Sequence, residues 1–443
     1  MKALFFLRHY NDIDHITPVI SKWIESGHTC DVILIGNPKF RDDYRIQYLA
    51  TLAAVRVAHI RELLPALVYA AWRIQTLLLS HSLRRSLIGP FAVALCRIFD
   101  NEQRERTWRI TAHQLLRYSF VNLDKGVVVF DWITKNSPVC LEWVETVVSM
   151  AHTMGLGAVS LPHGDSPHAN QLIRHGEWSL QPNTLYSAGR IFDKLVVPNE
   201  LCAKRFYPFM TDHSLAILGS PRYCDEWLAK LKELLPPAPL ASSSNRLKIA
   251  MFLRKDDFTI FWEEVGEVIR MIATFPEIVL VIKPHTRGGW KQSLTKDASL
   301  RRLPNVSIAD DYIHSIHLMN WADVIIDLAT SVVFEAVKAK KPVLAADYLH
   351  AGRSAVAEFI PETELRCRDD VSQKIEEFLS NGCNSFYIEK HRQRFIKEMI
   401  DNYDVDVLPR YVSLLETQAQ IRSEGKIKSN NNLKRSQSDL RIS

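Results

Sequence analysis

Cysteine is scarce and carries no pairing pattern. The 443-residue chain has seven, an odd number, and no two form a CxxC. Neither a disulfide framework nor a zinc site is expected, and a reducing, cytoplasmic compartment fits. Long apolar runs are also missing. Residues 63–79 are broken by Arg73, and 88–99 by Pro90 and Arg97, so neither reaches the roughly 18 residues that span a bilayer. The apolar opening, Met1 to Leu7, is short and has no small-residue cleavage site, which reads as a first strand and not a signal peptide. Excess positive charge is nearly absent from the body. Of the net charge of +5, +4 lies in the last 26 residues, Gln418–Ser443. The remaining +1 does not suit nucleic-acid binding. Internal repeats are absent.

What is present is a strand–helix rhythm, clearest from Asp323 to Leu344. Val324–Ile326 reads as a buried strand, Ala329–Ser331 as a small-residue turn, then come a helix and the strand at Val343. Such a turn offers unpartnered N–H groups at a helix start, where an anion is held favourably. Thr330 and Ser331 are thus candidate phosphate ligands, and Glu335, one turn in, is a candidate ribose ligand. An ordinary βαβ unit with a Thr/Ser cap fits this stretch as well.

The same rhythm runs through both halves. Ala3–Leu7 is followed by a polar turn, Arg8–Asp14, and His15-Ile16-Thr17-Pro18 is expected to open a helix. A strand follows at Asp31–Gly36, giving a right-handed βαβ unit with its functional edge at the strand C-termini. Residues 56–117 hold ten Arg, no Lys and four acids. They read as helices packed into the first domain, or as a membrane-surface face with Arg84 and Arg85 near lipid phosphates. Strands are expected at Gly126–Ile133, ending in Asp131-Trp132, and at Ala158–Leu161, ending in Pro162-His163-Gly164. Lys194–Asn199 and Leu215–Arg222 are two more strands with turn ends, the second closing in Gly219-Ser220-Pro221-Arg222. A Pro/Ala/Ser-rich linker covers 236–245.

Beyond it, Leu247–Leu253 ends in Arg254-Lys255 and Ile278–Ile282 ends in Lys283-Pro284-His285-Thr286-Arg287. Basic residues at the ends of successive parallel strands converge on one crevice. Arg254, Lys283, His285 and Arg287 are therefore read as a phosphate clamp opposite Thr330-Ser331. Helical pattern returns at 371–379 and from about 385 to 415, and the polar tail at 418–443 reads as disordered.

Several of these motifs resemble those of GT-B type glycosyltransferases. His15-x-x-Pro18 before a helix, then Glu25-Ser26-Gly27-His28 and a strand, is similar to the opening of such enzymes. The His163-Gly164 turn, the Gly219–Arg222 stretch and the Lys283-x-His285 element resemble those of surface-polysaccharide transferases and CDP-glycerol glycerophosphotransferases. Thr286 stands where those families usually have proline.

The resemblance implies an α/β fold of two Rossmann-like domains facing a cleft, with parallel sheets flanked by helices. Residues 1–235 would bind the acceptor and 246–415 the nucleotide donor, with a terminal helix crossing back to the first domain. His15, with Asp12 or Asp14 orienting its ring, would deprotonate the acceptor hydroxyl, or His163 would do so in its place. Gly219 and Ser220 would join Glu335 at the nucleotide. No cofactor and no metal are expected, since no DxD-type site stands opposite the donor phosphates and Asp310-Asp311 has no neighbouring ligand set. The expected partners are a nucleotide-sugar donor and a glycan or lipid-linked acceptor, with a contact to the inner face of the membrane left open. CDP-glycerol-type polyol-phosphate transfer, UDP-sugar 2-epimerisation and non-catalytic nucleotide-sugar binding are the alternatives.

Overall fold

The computed structural model describes residues 1–80, 90–91, 101–121, 125–134, 140–164, 184–235, 240, 246–254, 260–285, 299–310, 313–350, 355–403 and 406–421. They fall into two compact units. One holds the chain through Gly164, residues 184–227 and a helix at 407–421; the other runs from Leu228 to Tyr403. Each unit is built on a parallel sheet whose inner strands are buried, apolar runs, as expected where both faces are covered.

In the first unit the strands are β1 (Lys2–Leu7), β2 (Thr29–Leu34), β3 (Val55–His59), β4 (Gly126–Asp131), β5 (Gly157–Leu161), β6 (Lys194–Val197) and β7 (Leu215–Ile217). Their spatial order is β3-β2-β1-β4-β5-β6-β7. The order reverses between β1 and β4, which creates a switch point where the strand C-termini diverge. The core on one face is aromatic: Phe6 stacks on Phe130 at 4.5 Å between centroids, and Trp72, Trp108 and Trp143 pack around them. The strand β3 was not foreseen. Its pattern Val55-Arg56-Val57 alternates, because Arg56 reaches back to a buried Asp31 with two hydrogen bonds of 2.6 and 2.7 Å.

The first helix, Tyr10–Glu25, begins earlier than the sequence suggested. The expected polar turn is its first part, because the Asp12 carboxylate accepts the N–H groups of Arg8 and His9 at 2.8 and 3.0 Å and so caps the helix start. Ile13, Ile16, Val19, Ile20 and Trp23 bury its inner face, and Gly27, at φ +82°, ends it.

The second unit has β8 (Leu247–Phe252), β9 (Ile278–Lys283), β10 (Val306–Ile308), β11 (Val324–Asp327) and β12 (Val343–Ala345), in the order β10-β9-β8-β11-β12. Its order reverses between β8 and β11. The long helix expected from 385 to 415 is broken: Glu389–Phe395 runs into one wide turn to Asp401, and Asn402 and Tyr403 take left-handed angles. The helix at 407–421 then belongs to the first unit. Tyr411 Oη donates to the Gly219 carbonyl at 2.7 Å, Arg410 Nη2 to Ile217 O at 3.0 Å, and Glu416 meets His28 at 2.7 Å.

Candidate active site

The switch point of the first sheet gathers four ionisable side chains. Arg8 directly follows β1, Asp12 sits in the first turn of the next helix, Asp131 is the last residue of β4, and His163 lies two residues past β5. Arg8 grips Asp131 in a fork: Nε donates to Oδ1 at 2.6 Å and Nη2 donates to Oδ2, with a further bond to the Trp132 carbonyl at 2.7 Å. His163 Nδ1 lies 2.8 Å from Asp12 Oδ1 and 2.7 Å from Asp131 Oδ2. A protonated Nδ1 shared by two carboxylates fixes the ring and leaves Nε2 turned away from them.

This arrangement sets the protonation states. Burial alone would lower the His163 pKa, but the hydrogen bonds and charges of Asp12 and Asp131 prevail and lift it to about 9. Burial would raise Asp131, but the Arg8 charge and the His163 hydrogen bond hold it well below the carboxylate range. At neutral pH Arg8 and His163 are therefore cationic and Asp131 is anionic. His9, whose ring meets that of His163 edge-on at 5.9 Å, behaves oppositely. Burial, with the Arg8 and His163 charges, outweighs Asp12 and drops its pKa to about 4. A neutral imidazole thus stands beside a cationic one.

Asp12, Asp131 and His163 also offer three ligand atoms within 4.8 Å of one another, the spacing of a metal set. The donors fit poorly, however. The His163 atom in question already bonds both carboxylates, and Arg8 holds both oxygens of Asp131. Two cations in place oppose a third.

Of the residues singled out for the base role, His15 is not at the site surface. It is 1 % exposed on the inner face of its helix, and burial, Arg222 and His163 push its pKa well down. Asp14 does not orient a histidine. Its carboxylate bridges Arg45 and Arg222, the latter at 3.2 Å. His163 is in the cluster, but as a cation it is no base at neutral pH. His9 and Arg8 were passed over as parts of a polar turn. Their place directly after the first strand was the available signal.

At the second switch point, Arg254 follows β8 by two residues and Asp327 ends β11. Lys283 ends β9 and His285 follows it, half-buried; Arg287 lies outside the described residues. Arg254 and Lys283 are both buried, and Lys283 Nζ donates to the Asp310 carbonyl at 2.7 Å. Burial lowers the Arg254 pKa to about 10, with Asp327 and Asp347 partly offsetting it, so it stays charged.

The Thr330-Ser331 turn is already capped, which corrects its reading as an open anion cradle. The Thr330 amide donates to the Asp327 carboxylate at 3.0 and 3.2 Å, and its hydroxyl donates to the same group. The left-handed Ala329, at φ +60°, permits that closure. Ser331 makes no side-chain cap. Glu335 is buried and accepts from Ser315 Oγ at 2.9 Å. Gly219 and Ser220 lie in the first unit, where Tyr411 takes the Gly219 carbonyl and Ser220 Oγ accepts from the Tyr223 amide at 3.3 Å.

No protein-family model and no curated protein sequence matches the chain. Solved structures match along most of it. The UDP-GlcNAc 2-epimerase of Neisseria meningitidis, solved with UDP-GlcNAc, is 12 % identical over 94 % of this chain and 99 % of its own, with a TM-score of 0.56. The S. aureus MnaA–UDP structure is 12 % identical over 93 % and 94 %, with a TM-score of 0.54. The glycotransferase of kitacinnamycin is 12 % identical over 94 % and 98 %, with a TM-score of 0.51. The fold is of the GT-B type. Identity this low speaks for the fold alone.

Proposed function

We propose that the protein is a metal-independent transferase that moves a sugar from a nucleotide-activated donor to a hydroxyl acceptor. The observation that carries this reading is the pairing of neutral His9 with cationic His163 at the β1/β4 switch point. His9 takes the acceptor proton as the acceptor oxygen attacks the anomeric carbon. The bond from that carbon to the donor phosphate breaks, and the nucleotide leaves with the electron pair. Arg254, Lys283 and His285 at the strand ends of the second unit stabilise the charge that develops on its phosphates. The fold shared with structures holding UDP and UDP-GlcNAc supports a nucleotide-sugar donor.

A second reading is interconversion of a nucleotide sugar without an acceptor, as the name of the Neisseria structure describes for that protein. A base and an acid side by side serve that chemistry too.

The test is thermal stabilisation by UDP, CDP, CMP, GDP and ADP, in wild type and in Arg254→Ala/Lys283→Ala. A nucleotide at 100 times its dissociation constant should add about 2.7 kcal/mol to the wild type and far less to the variant. Equal stabilisation of both would remove the clamp from the proposal. Incubation with the stabilising nucleotide's sugar conjugates then separates the readings. A product formed with no acceptor present favours epimerisation.

A further inference from the structure

The Arg-rich segment has no part in that chemistry, and its charge is segregated. Residues 56–117 carry a net +6, from ten arginines and four acids, while the rest of 1–417 is net −5. Two helices of this segment, Ala66–Leu79 and Asn101–Ser119, pack side by side, with Gln75 Nε2 donating to Thr107 Oγ1 at 3.3 Å. Their inner faces place Trp72, Trp108 and Leu115 in the core. The outer face of the first helix is apolar at helical spacing and faces water: Leu67 is 86 % exposed, Ile74 47 % and Leu77 43 %. Arg73 is exposed on that same face. On the neighbouring helix the exposed row holds Glu102, Arg106, Ile110, His113 and Arg117, so basic residues outnumber the one acid.

A solvated helix normally turns charge outward and keeps such leucines in the core. Here two leucines and an isoleucine are turned outward beside Arg73, in a segment of net +6 within a body otherwise negative. Apolar side chains that enter the acyl boundary, ringed by guanidinium groups at headgroup level, are the makeup of an interfacial surface. Among the described residues no helix is long and apolar enough to cross a membrane.

We propose that the outer faces of these two helices bind the surface of an anionic phospholipid bilayer, with Leu67, Ile74 and Leu77 inserted and Arg73 and Arg106 on lipid phosphates. The inference is independent of the transferase reading.

The test is co-sedimentation of the full-length protein with phosphatidylcholine vesicles, with and without phosphatidylglycerol. Wild type should sediment with the anionic vesicles, be released by high salt, and stay in solution with phosphatidylcholine alone. Leu67→Glu/Ile74→Glu should lose at least about tenfold in affinity, and Arg106→Ala about fivefold, near the worth of one basic residue at such a surface. Both sites are exposed, so the variants should melt like wild type. Binding that survives Leu67→Glu/Ile74→Glu and disappears on removal of residues 422–443 would belong to the basic tail and overturn the proposal. So would self-association of the wild type that the same double variant abolishes, since the face would then be a contact between copies.

Discussion

The two switch points are variations on one plan with opposite electrostatics. In each, an arginine follows the central strand, Arg8 after β1 and Arg254 after β8, and an aspartate ends the strand across the reversal, Asp131 on β4 and Asp327 on β11. In the first unit the guanidinium meets the carboxylate in a two-bond fork, His163 adds a third donor, and Asp131 is held strongly ionised. In the second, Asp327 takes its donors from the turn that follows it. Burial then dominates, the Thr330 hydroxyl and amide only partly offset it, and the pKa rises to about 7. A buried aspartate is therefore not one kind of object. Whether its hydrogen bonds come from a full positive charge or from neutral dipoles decides its state. The first arrangement fixes a charged cluster. The second leaves Asp327 bonded within its own turn, with Arg254 acting on it through charge alone.

Removing the charge that defines the first site should have the largest effect. Asp131→Asn leaves buried Arg8 short of a counter-charge and should cost about 3–5 kcal/mol in urea unfolding. A cost below 1 kcal/mol would mean that the fork contributes little. His9→Asn keeps a side chain suited to a helix N-terminus but removes the base. On the transferase reading it should lower turnover about 10²–10⁴-fold with nucleotide stabilisation unchanged. Unaltered turnover would return the base role to another group.

The pH dependence should separate the two aspartates by sign. Asp131 is depressed in the folded protein, so its stabilisation is present above the ordinary carboxylate pKa and is lost as pH falls below it. Asp327 is raised, so the folded unit holds a proton that the unfolded chain releases near 3.8, and stability should fall as pH rises from about 4 to about 7. Asp327→Asn should flatten that window and leave the acid limb in place. His163 adds a third limb: raised to about 9, it stabilises below its ordinary 6.5, and that contribution is lost as pH rises through about 9. Denaturation melts across pH with hydrogen exchange resolved by unit would read all three. The smallest effect is expected from Ser315→Ala, which removes one donor to Glu335 and should cost about 0.5–1.5 kcal/mol.

The sequence by itself determined the architecture. Apolar runs at βαβ spacing, bounded by turn residues, name nearly all the strands, because a strand buried on both faces must be apolar along its length. It also pointed to the strand C-termini as the place for chemistry, and to His163, Arg254, Lys283 and His285 by their position there. What escaped it were matters of partnership. His15 and His9 look alike in the sequence, yet one is on the inner face of a helix and the other at its start, because Asp12 begins that helix earlier than the His15-x-x-Pro18 pattern suggests. The Thr330 turn looked open until Asp327, three residues back, was seen to close it. Only the tertiary structure decided which carboxylate faces which cation across 123 residues, as Asp131 does Arg8. Protonation follows from that geometry, since charge interactions depend on distance and burial and not on order along the chain.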